Sequence, residues 1–464
     1  MKHAYISRKG ESRLIIIFAG WGMDHRPFQG LERPGYDIMA VWDYRSLDFN
    51  ARWTEGYDEV AVLAWSMGVH AAQACHGAIA EKTTGRIAVA GTPCPVHDSL
   101  GIPQGVFDAT LANLDEANLA RFMRRMCGGA SGYKAFAGRM PQRPVEELRE
   151  ELAAIGCRVA RGECTATPPF DHYVATMRDS IFPPANQLKA FEGCDVVEID
   201  SPHLPDFQAL LDRFFIDKSL VAERFEGARS SYDANAEAQA LIARYMANQL
   251  RDKDSAAILA SPEATVLEIG CGTGLLSRRL LAARPAARMI FWDIAAQAPD
   301  CLPSGSYRCC DAETAISGLP AASVDMIVSA SAIQWFNSQL SFARRALHAL
   351  KPGGILAVST FSRGNMHETA GASGHSLQLP DAGVWESFAA SQPCVEKIHI
   401  GGFPIVCRFH NAMDAMRHIS RTGVNALSRA ATGARSVAAR LIPDSDGRYC
   451  LTYKPLFIIL RKKP

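Results

Sequence analysis

The sequence predicts an α/β fold built twice, as two separate domains along one chain. Three observations predict it. EVAVLAWSMGVHAAQAC, residues 59–75, is an apolar run, a sharp corner and a helical pattern. TVLEIGCGTGLLSRRLL, residues 265–281, is again strand, glycine turn and helix. The chain has 464 residues, enough for two or three domains, and nothing between the two landmarks repeats closely enough to be an internal repeat.

In the first half, β-like runs fall at 14–19, 37–42, 59–64, 86–90 and 195–199. Leu14–Ala19 follows charged residues directly and no small-residue cleavage site comes after it, so it reads as a buried strand and not a signal peptide. No run approaches the roughly 20 apolar residues of a membrane span. Between about 107 and 160 the pattern turns helical and basic, with Arg121, Arg124, Arg125, Lys134, Arg139, Arg143 and Arg149, as expected of an inserted helical cap. IDKSLVAER separates two apolar helix patterns, which predicts domains at 1–216 and 224–464. In the second half, strands are expected at 265–269, 288–292, 324–329 and 355–360.

The composition, 48% hydrophobic and 21% charged, suits ordinary globular cores. A net charge of +1 argues against nucleic acid as the main partner. The thirteen cysteines form no CxxC pair, so reduced thiols in a cytoplasmic protein and no metal site are expected, and the lack of a long apolar run predicts no membrane partner.

Ser66 stands at the first corner. A nucleophilic serine needs a base, a group orienting the base, and donors for an oxyanion. Small residues two before and two after it permit the tight turn; here they are Ala64 and Gly68. The competing reading is a serine that caps the helix or fills a buried corner. The order serine, acid, histidine of α/β-hydrolases is completed by Asp179 in MRDSIFPPANQ and His203 in VVEIDSPHLPDF. Asp171 competes with Asp179, while Asp200 is too close to His203 along the chain. The loop FAGWGMD offers the Trp21 N–H as one oxyanion donor, with Gly20 and Gly22 allowing close approach; the Met67 N–H is the second. FAGWGMD, VWDYRSLDF, AWSMGVHAA, DSIFPPANQ and SPHLPDF together resemble the BioG group of α/β-hydrolases over residues 12–214. The resemblance implies hydrolysis of the methyl ester of pimeloyl-acyl carrier protein.

The second corner holds Gly270, Gly272 and Gly274. A dinucleotide fingerprint would place a small residue at Leu275. The GxGxG spacing with Glu268 two residues earlier instead resembles the S-adenosylmethionine loop of class I, Rossmann-like methyltransferases. That resemblance implies Asp293 on the ribose hydroxyls, Asp311 on the adenine amino group, Ala312 beside the ring, and Gln334 and Trp335 either over the site or serving packing only, with the Lys-Pro-Gly-Gly turn before a later strand. Phe225, Tyr232, Ala236 and Gln239 are similar to the N-terminal helix of BioC, the malonyl-acyl carrier protein O-methyltransferase, and the likeness runs over 224–360. Tyr232 is either close to the reacting carboxylate or a helix-packing residue, and residues 361–464 carry no assignment.

The predicted architecture is therefore an α/β-hydrolase with a helical cap followed by a class I methyltransferase. The resemblances imply acyl carrier protein, loaded with malonyl or pimeloyl methyl ester, as partner. Carrier proteins are acidic, so Arg121, Arg124 and Arg125 are either its docking site or a solvated face. A carrier thioesterase fused to a small-molecule or quinone methyltransferase is the alternative, as is a degenerate hydrolase that only binds the carrier.

Overall fold

The computed structural model describes residues 1–79, 82–163, 170–194, 196–369, 377, 379–423 and 434–464. The chain divides into two compact units, Met1–Leu211 and Asp212–Pro464. The stretch read as a separator is mostly helix: Asp217 accepts from the Leu220 N–H at 3.1 Å and caps the helix Lys218–Asn235.

The first unit is a seven-stranded sheet of β1 (Lys2–Ser7), β2 (Arg13–Phe18), β3 (Asp37–Trp42), β4 (Glu59–Trp65), β5 (Thr83–Val89), β6 (His172–Thr176) and β7 (Val196–Ile199), in the order β1-β3-β2-β4-β5-β6-β7. Only β1 is antiparallel. Every residue of β2, β3 and β4 is buried, which is why RLIIIF, DIMAVW and EVAVLAW read as continuous apolar runs. β1, an edge strand of mixed polarity, and β6 had no such signal and were not anticipated. Asp195, the first residue of the strand read at 195–199, lies outside the described residues.

Between β5 and β6, among the described residues, four α-helices, Gln104–Ala112, Glu116–Met126, Ala130–Phe136 and Val145–Ala160, form the cap. The last is fastened to the sheet's loops. The Trp21 Nε1–H donates to the Leu148 carbonyl at 2.9 Å, and the Tyr44 N–H donates to Glu151 Oε1 at 2.7 Å. Burial raises the pKa of the Glu151 carboxyl, against the pull of Arg143, whose Nη1 lies 2.6 Å from Glu151 Oε2. Arg143, read as part of a basic cap face, is thus an interior ion pair.

The second unit contains β8 (Thr265–Ile269), β9 (Arg288–Asp293), β10 (Tyr307–Cys309), β11 (Val324–Ser329), β12 (Leu350–Phe361), β13 (Val395–Gly401), β14 (Ile405–Phe409), β15 (Tyr449–Tyr453) and β16 (Pro455–Lys462). Its main sheet has the order β10-β9-β8-β11-β12-β16-β13, with β16 antiparallel to both neighbours, the class I methyltransferase arrangement. Apolar clusters cover both faces. The order reverses between β8 and β11, so a crevice opens at their carboxyl ends. The Lys-Pro-Gly-Gly turn falls inside the span of β12, where pairing with β11 is irregular and Gly353 has φ 80°. Residues 361–464 supply β13 and β16 of this sheet and a separate two-stranded antiparallel sheet, β14–β15.

Among the described residues no helix is long and apolar enough to cross a membrane, the cysteines are free thiols, and no His, Cys, Asp or Glu cluster is arranged to hold a metal ion.

Candidate functional site

Each unit carries one candidate site. In the first, β4 ends at Trp65 and a short helix, Gly68–Ala74, follows. Ser66 sits between them with φ 60°, a left-handed backbone that a non-glycine residue adopts at a cost. The corner is crowded by backbone. A Cβ on Gly68 would lie 2.2 Å from the Phe18 carbonyl oxygen, and one on Gly91 would lie 2.2 Å from that of Ser66. Ala64 is fully buried, and its methyl fits where the usual pattern has glycine.

The two readings of Ser66 now separate. The helix has Met67 at its N-cap and no side-chain cap. The Ser66 hydroxyl instead meets His203: Oγ lies 2.9 Å from Nε2, and His203 Nδ1 lies 2.7 Å from Asp179 Oδ2. With Nδ1–H donated to the carboxylate, Nε2 is the acceptor for the serine hydroxyl. All three residues are buried. Asp171 and Asp200 lie elsewhere. Asp171 accepts from the Arg86 N–H, and Asp200 pairs with Arg178.

Sequence reasoning missed the groups that hold this row. Asp179 Oδ1 accepts from the Ile181 and Phe182 N–H groups at 2.7 and 2.9 Å. Its Oδ2 accepts from Thr176 Oγ1 at 2.8 Å and Gln187 Nε2 at 3.0 Å. Four donors besides the imidazole therefore offset the desolvation of a buried carboxylate. The Trp65 Nε1–H donates to the His203 carbonyl at 2.8 Å, and the Phe182 ring stacks on the imidazole at 5.8 Å. Trp65, inside the quoted motif, thus pins the histidine loop.

Ser66 faces a cavity lined by Trp21 and Met67, the residues read as oxyanion donors, and by Ile102, Phe107, Leu152 and Ile181. Beyond it a wider groove is lined by Arg121, Arg124 and Arg125, all exposed.

In the second unit a cleft of about 1060 Å³, including its open mouth, lies over the ends of β8 and β11. Gly270 and Gly272 line it with φ 69° and 53°. A Cβ on Gly270 would come within 2.1 Å of Ala332 Cβ. Gly274 does not line the cleft. It is needed behind it, where φ is 91° and a Cβ would lie 2.6 Å from Cys301 Sγ.

Glu268 is buried at the cleft wall. Ser277 Oγ donates to its Oε1 at 2.9 Å, while Oε2 has no partner among the described residues. Burial pushes its carboxyl up to about 8, the Ser277 bond opposing. Asp293 accepts from the Gly272 N–H at 2.7 Å and the Ala295 N–H at 2.9 Å, and burial raises its pKa against those bonds. Asp311 caps the short helix beginning at Ala312, and both residues line the cleft.

Tyr232 and Trp335 also line it, each packed on Phe225. Gln334 does not. Its amide donates to the carbonyl of Ser331, itself a lining residue, at 2.7 Å, so of the Gln-Trp pair only Trp335 lines the cleft. Ala236 is buried behind the wall, whereas Gln239 reaches the cleft. Lys218 was not anticipated: it lines the cleft, with Nζ 2.8 Å from Glu313 Oε2 and 3.6 Å from Asp311 Oδ1.

These residues fit S-adenosylmethionine. The glycine turn leaves room against backbone, two carboxylates at the ends of neighbouring strands can accept from a ligand's hydroxyl and amino groups, and Glu268 has an orphan oxygen that can accept from a ligand's N–H.

Residues 1–213 match the family described as pimeloyl-ACP methyl esterase BioG, and residues 267–358 match a methyltransferase domain family. A malonyl-[acyl-carrier protein] O-methyltransferase of Bacteroides fragilis (strain 638R) is 33% identical over 97% of this chain and 93% of its own length. The enzyme of that description from Haemophilus influenzae is 31% identical over 53% of this chain and 95% of its own. The crystal structure of BioG from Haemophilus influenzae is 32% identical, with a TM-score of 0.41, covering 44% of this chain and 94% of that one. The chain belongs to the malonyl-[acyl-carrier protein] O-methyltransferase family, in a form whose first half is a BioG domain.

Proposed function

We propose that the chain carries two opposed reactions of biotin synthesis on carrier-bound acyl groups. Residues 212–464 methylate the free carboxylate of malonyl-acyl carrier protein, with S-adenosyl-L-methionine as cofactor. Residues 1–211 hydrolyse the methyl ester of pimeloyl-acyl carrier protein. The hydrogen-bonded row Ser66–His203–Asp179 in a buried corner is the observation that carries the second reaction.

In the hydrolysis, Ser66 Oγ attacks the ester carbonyl while His203 Nε2 takes its proton. Asp179 keeps Nδ1–H and the ring in place and stabilises the imidazolium. The Trp21 and Met67 N–H groups receive the developing oxyanion. The imidazolium returns its proton to the departing methoxide, and methanol leaves. Water, activated by the same imidazole, then releases the acid.

In the methylation, the bound cofactor supplies an electrophilic methyl group. An ionised carboxylate needs no base to attack it, so the chain's work is positioning. Asp293, Asp311 and Ala312 hold the cofactor's adenosine end, and Glu268 with the glycine turn holds the rest. Tyr232 and Trp335 flank the reacting carboxylate and exclude water.

The pairing has a physical logic. Methylation removes the charge of the malonyl end, which then enters apolar elongation sites that an unpaired carboxylate could not. Hydrolysis after elongation restores the acid. Arg121, Arg124 and Arg125 face outward beside the serine cavity and dock the acidic carrier. Charge reversal at these arginines is expected to weaken hydrolysis of the carrier-bound ester and spare a small soluble ester. Equal loss on both would refute the docking. Product analysis of pimeloyl methyl ester carrier tests the reaction itself: methanol and an intact thioester support it, whereas a free carrier thiol would mark a thioesterase.

A further inference from the structure

The serine cavity and the outer groove share a rim, or neck. Val106, Thr110, Phe122, Arg125 and Ser180 line both. Val106 and Thr110 come from the helix Gln104–Ala112, Phe122 and Arg125 from the helix Glu116–Met126. The neck is held from two sides. Ser180 Oγ donates to the Arg125 carbonyl at 3.2 Å, tying the loop after β6 to the cap. The Phe122 ring packs edge-on against Trp21, centroids 5.0 Å apart, and Trp21 is itself bonded to the Leu148 carbonyl. Polarity changes across it. The inner wall is mostly apolar, with Ile102, Phe107, Leu152 and Ile181, while Asn113, Asn118 and Arg121 stand outside.

We infer that this neck is a chain-length filter, with Phe122 as its specificity-determining residue. The ester reaches Ser66 when a run of methylenes fills the inner cavity and the thioester with its carrier arm stays in the polar groove. This rests on the reading of the first unit as a hydrolase of carrier-bound methyl esters. The filter answers a problem that reading creates. The malonyl methyl ester made by the second unit carries the same reacting group as the pimeloyl methyl ester, and its immediate hydrolysis would only consume cofactor. A short chain cannot span the neck, so its thioester and the first amide of the carrier arm would have to enter a wall that offers few partners. Each buried methylene is worth roughly fourfold, so the ~4 extra methylenes of the pimeloyl chain favour it by on the order of 10².

The test uses the purified full chain and carrier protein loaded with methyl esters of malonyl, glutaryl, adipyl and pimeloyl groups, with hydrolysis followed by mass. The expected kcat/KM rises with each methylene and reaches on the order of 10² between the ends of the series. Phe122→Ala is expected to raise the malonyl ester rate about tenfold and to change the pimeloyl rate by less, lowering the ratio. Val106, 48% exposed, gives a second variant, Val106→Ala, that leaves the core intact and shifts the ratio the same way. Equal hydrolysis of all four esters by the unaltered protein, or a ratio unchanged in both variants, overturns the filter and leaves the hydrolase reading standing. No hydrolysis of any carrier-bound methyl ester overturns both.

Discussion

Replacing Gly68 by alanine strikes the serine corner without removing a polar group from it. The added Cβ would lie 2.2 Å from the Phe18 carbonyl oxygen and 2.7 Å from that of Ala19, where real Cβ atoms keep at least 3.0 Å. The gap must widen by about 0.8 Å, and both obstacles are backbone, so no side chain can rotate to relieve it. The displacement falls between Ser66 and the loop that bears Trp21, the two parts that must converge on one carbonyl. A misplacement of this size costs about 10² in rate, alongside roughly 1–3 kcal/mol of stability from overpacking. The assay is hydrolysis of a small soluble methyl ester, with Ser66 labelling by a fluorophosphonate. Methyltransferase activity of the same protein is the internal standard. Ala64→Gly is the companion. It restores the usual glycine pattern, yet it is expected to leave kcat unchanged and to cost about 1 kcal/mol, because a buried strand position loses its methyl group and gains chain entropy. Full esterase activity in Gly68→Ala, or a faster Ala64→Gly, would refute the steric account.

Three further outcomes follow from the geometry. Gln187→Leu removes a donor to the buried Asp179 carboxylate and should lower the stability of the first unit by about 2 kcal/mol; a thermal transition unmoved, read by loss of Ser66 labelling, would contradict this. Glu268, held up at about 8 by burial, keeps a proton that the unfolded chain releases at ordinary carboxylate pH. The stability of the second unit should therefore fall as pH rises from about 5 through 8 and level off above, with Glu268→Gln flattening that slope; an unchanged slope would reassign it to Asp293, which burial also raises. Gly270→Ala should weaken cofactor binding more than tenfold by calorimetry, because its Cβ meets Ala332, and Ala332→Gly added to it should restore part of the affinity. The residual strain of a non-glycine residue at φ 69° is worth about 1–2 kcal/mol, so full restoration would be unexpected.

Central parallel strands were legible because burial on both faces writes continuous apolar runs, as in β2 and β4. Ser66, Asp179 and His203 were legible as residue types in a known order, although 137 and 24 positions separate His203 from its two partners. Their supports were not. Thr176 and Gln187 are ordinary residues whose role appears only when β6 and the helix after it converge on Asp179. In the second unit the glycine spacing gave the loop, but it could not divide the labour within it. Gly270 and Gly272 face the cleft and Gly274 packs behind it. Gln334 and Trp335 are neighbours in sequence, and a single turn of 3-10 helix over Ile333–Trp335 sends them to different places. Lys218 belonged to a stretch read as the junction between the domains, so its approach to Asp311 and Glu313 had no local signal. β16 inserts between β12 and β13 from the far end of the chain, a pairing that no local pattern encodes.

We propose that one chain both adds and removes the same methyl group on carrier-bound acyl chains of different length. Mass analysis of two carriers incubated with the purified protein decides this. One is malonyl-acyl carrier protein with S-adenosylmethionine, and the other is the pimeloyl methyl ester carrier. The first is expected to gain one methyl group and the second to lose one, with the loss abolished by Ser66→Ala and the gain unaffected by it. If neither carrier reacts while small esters and small methyl acceptors do, both folds keep their chemistry and the account of why they share a chain is wrong.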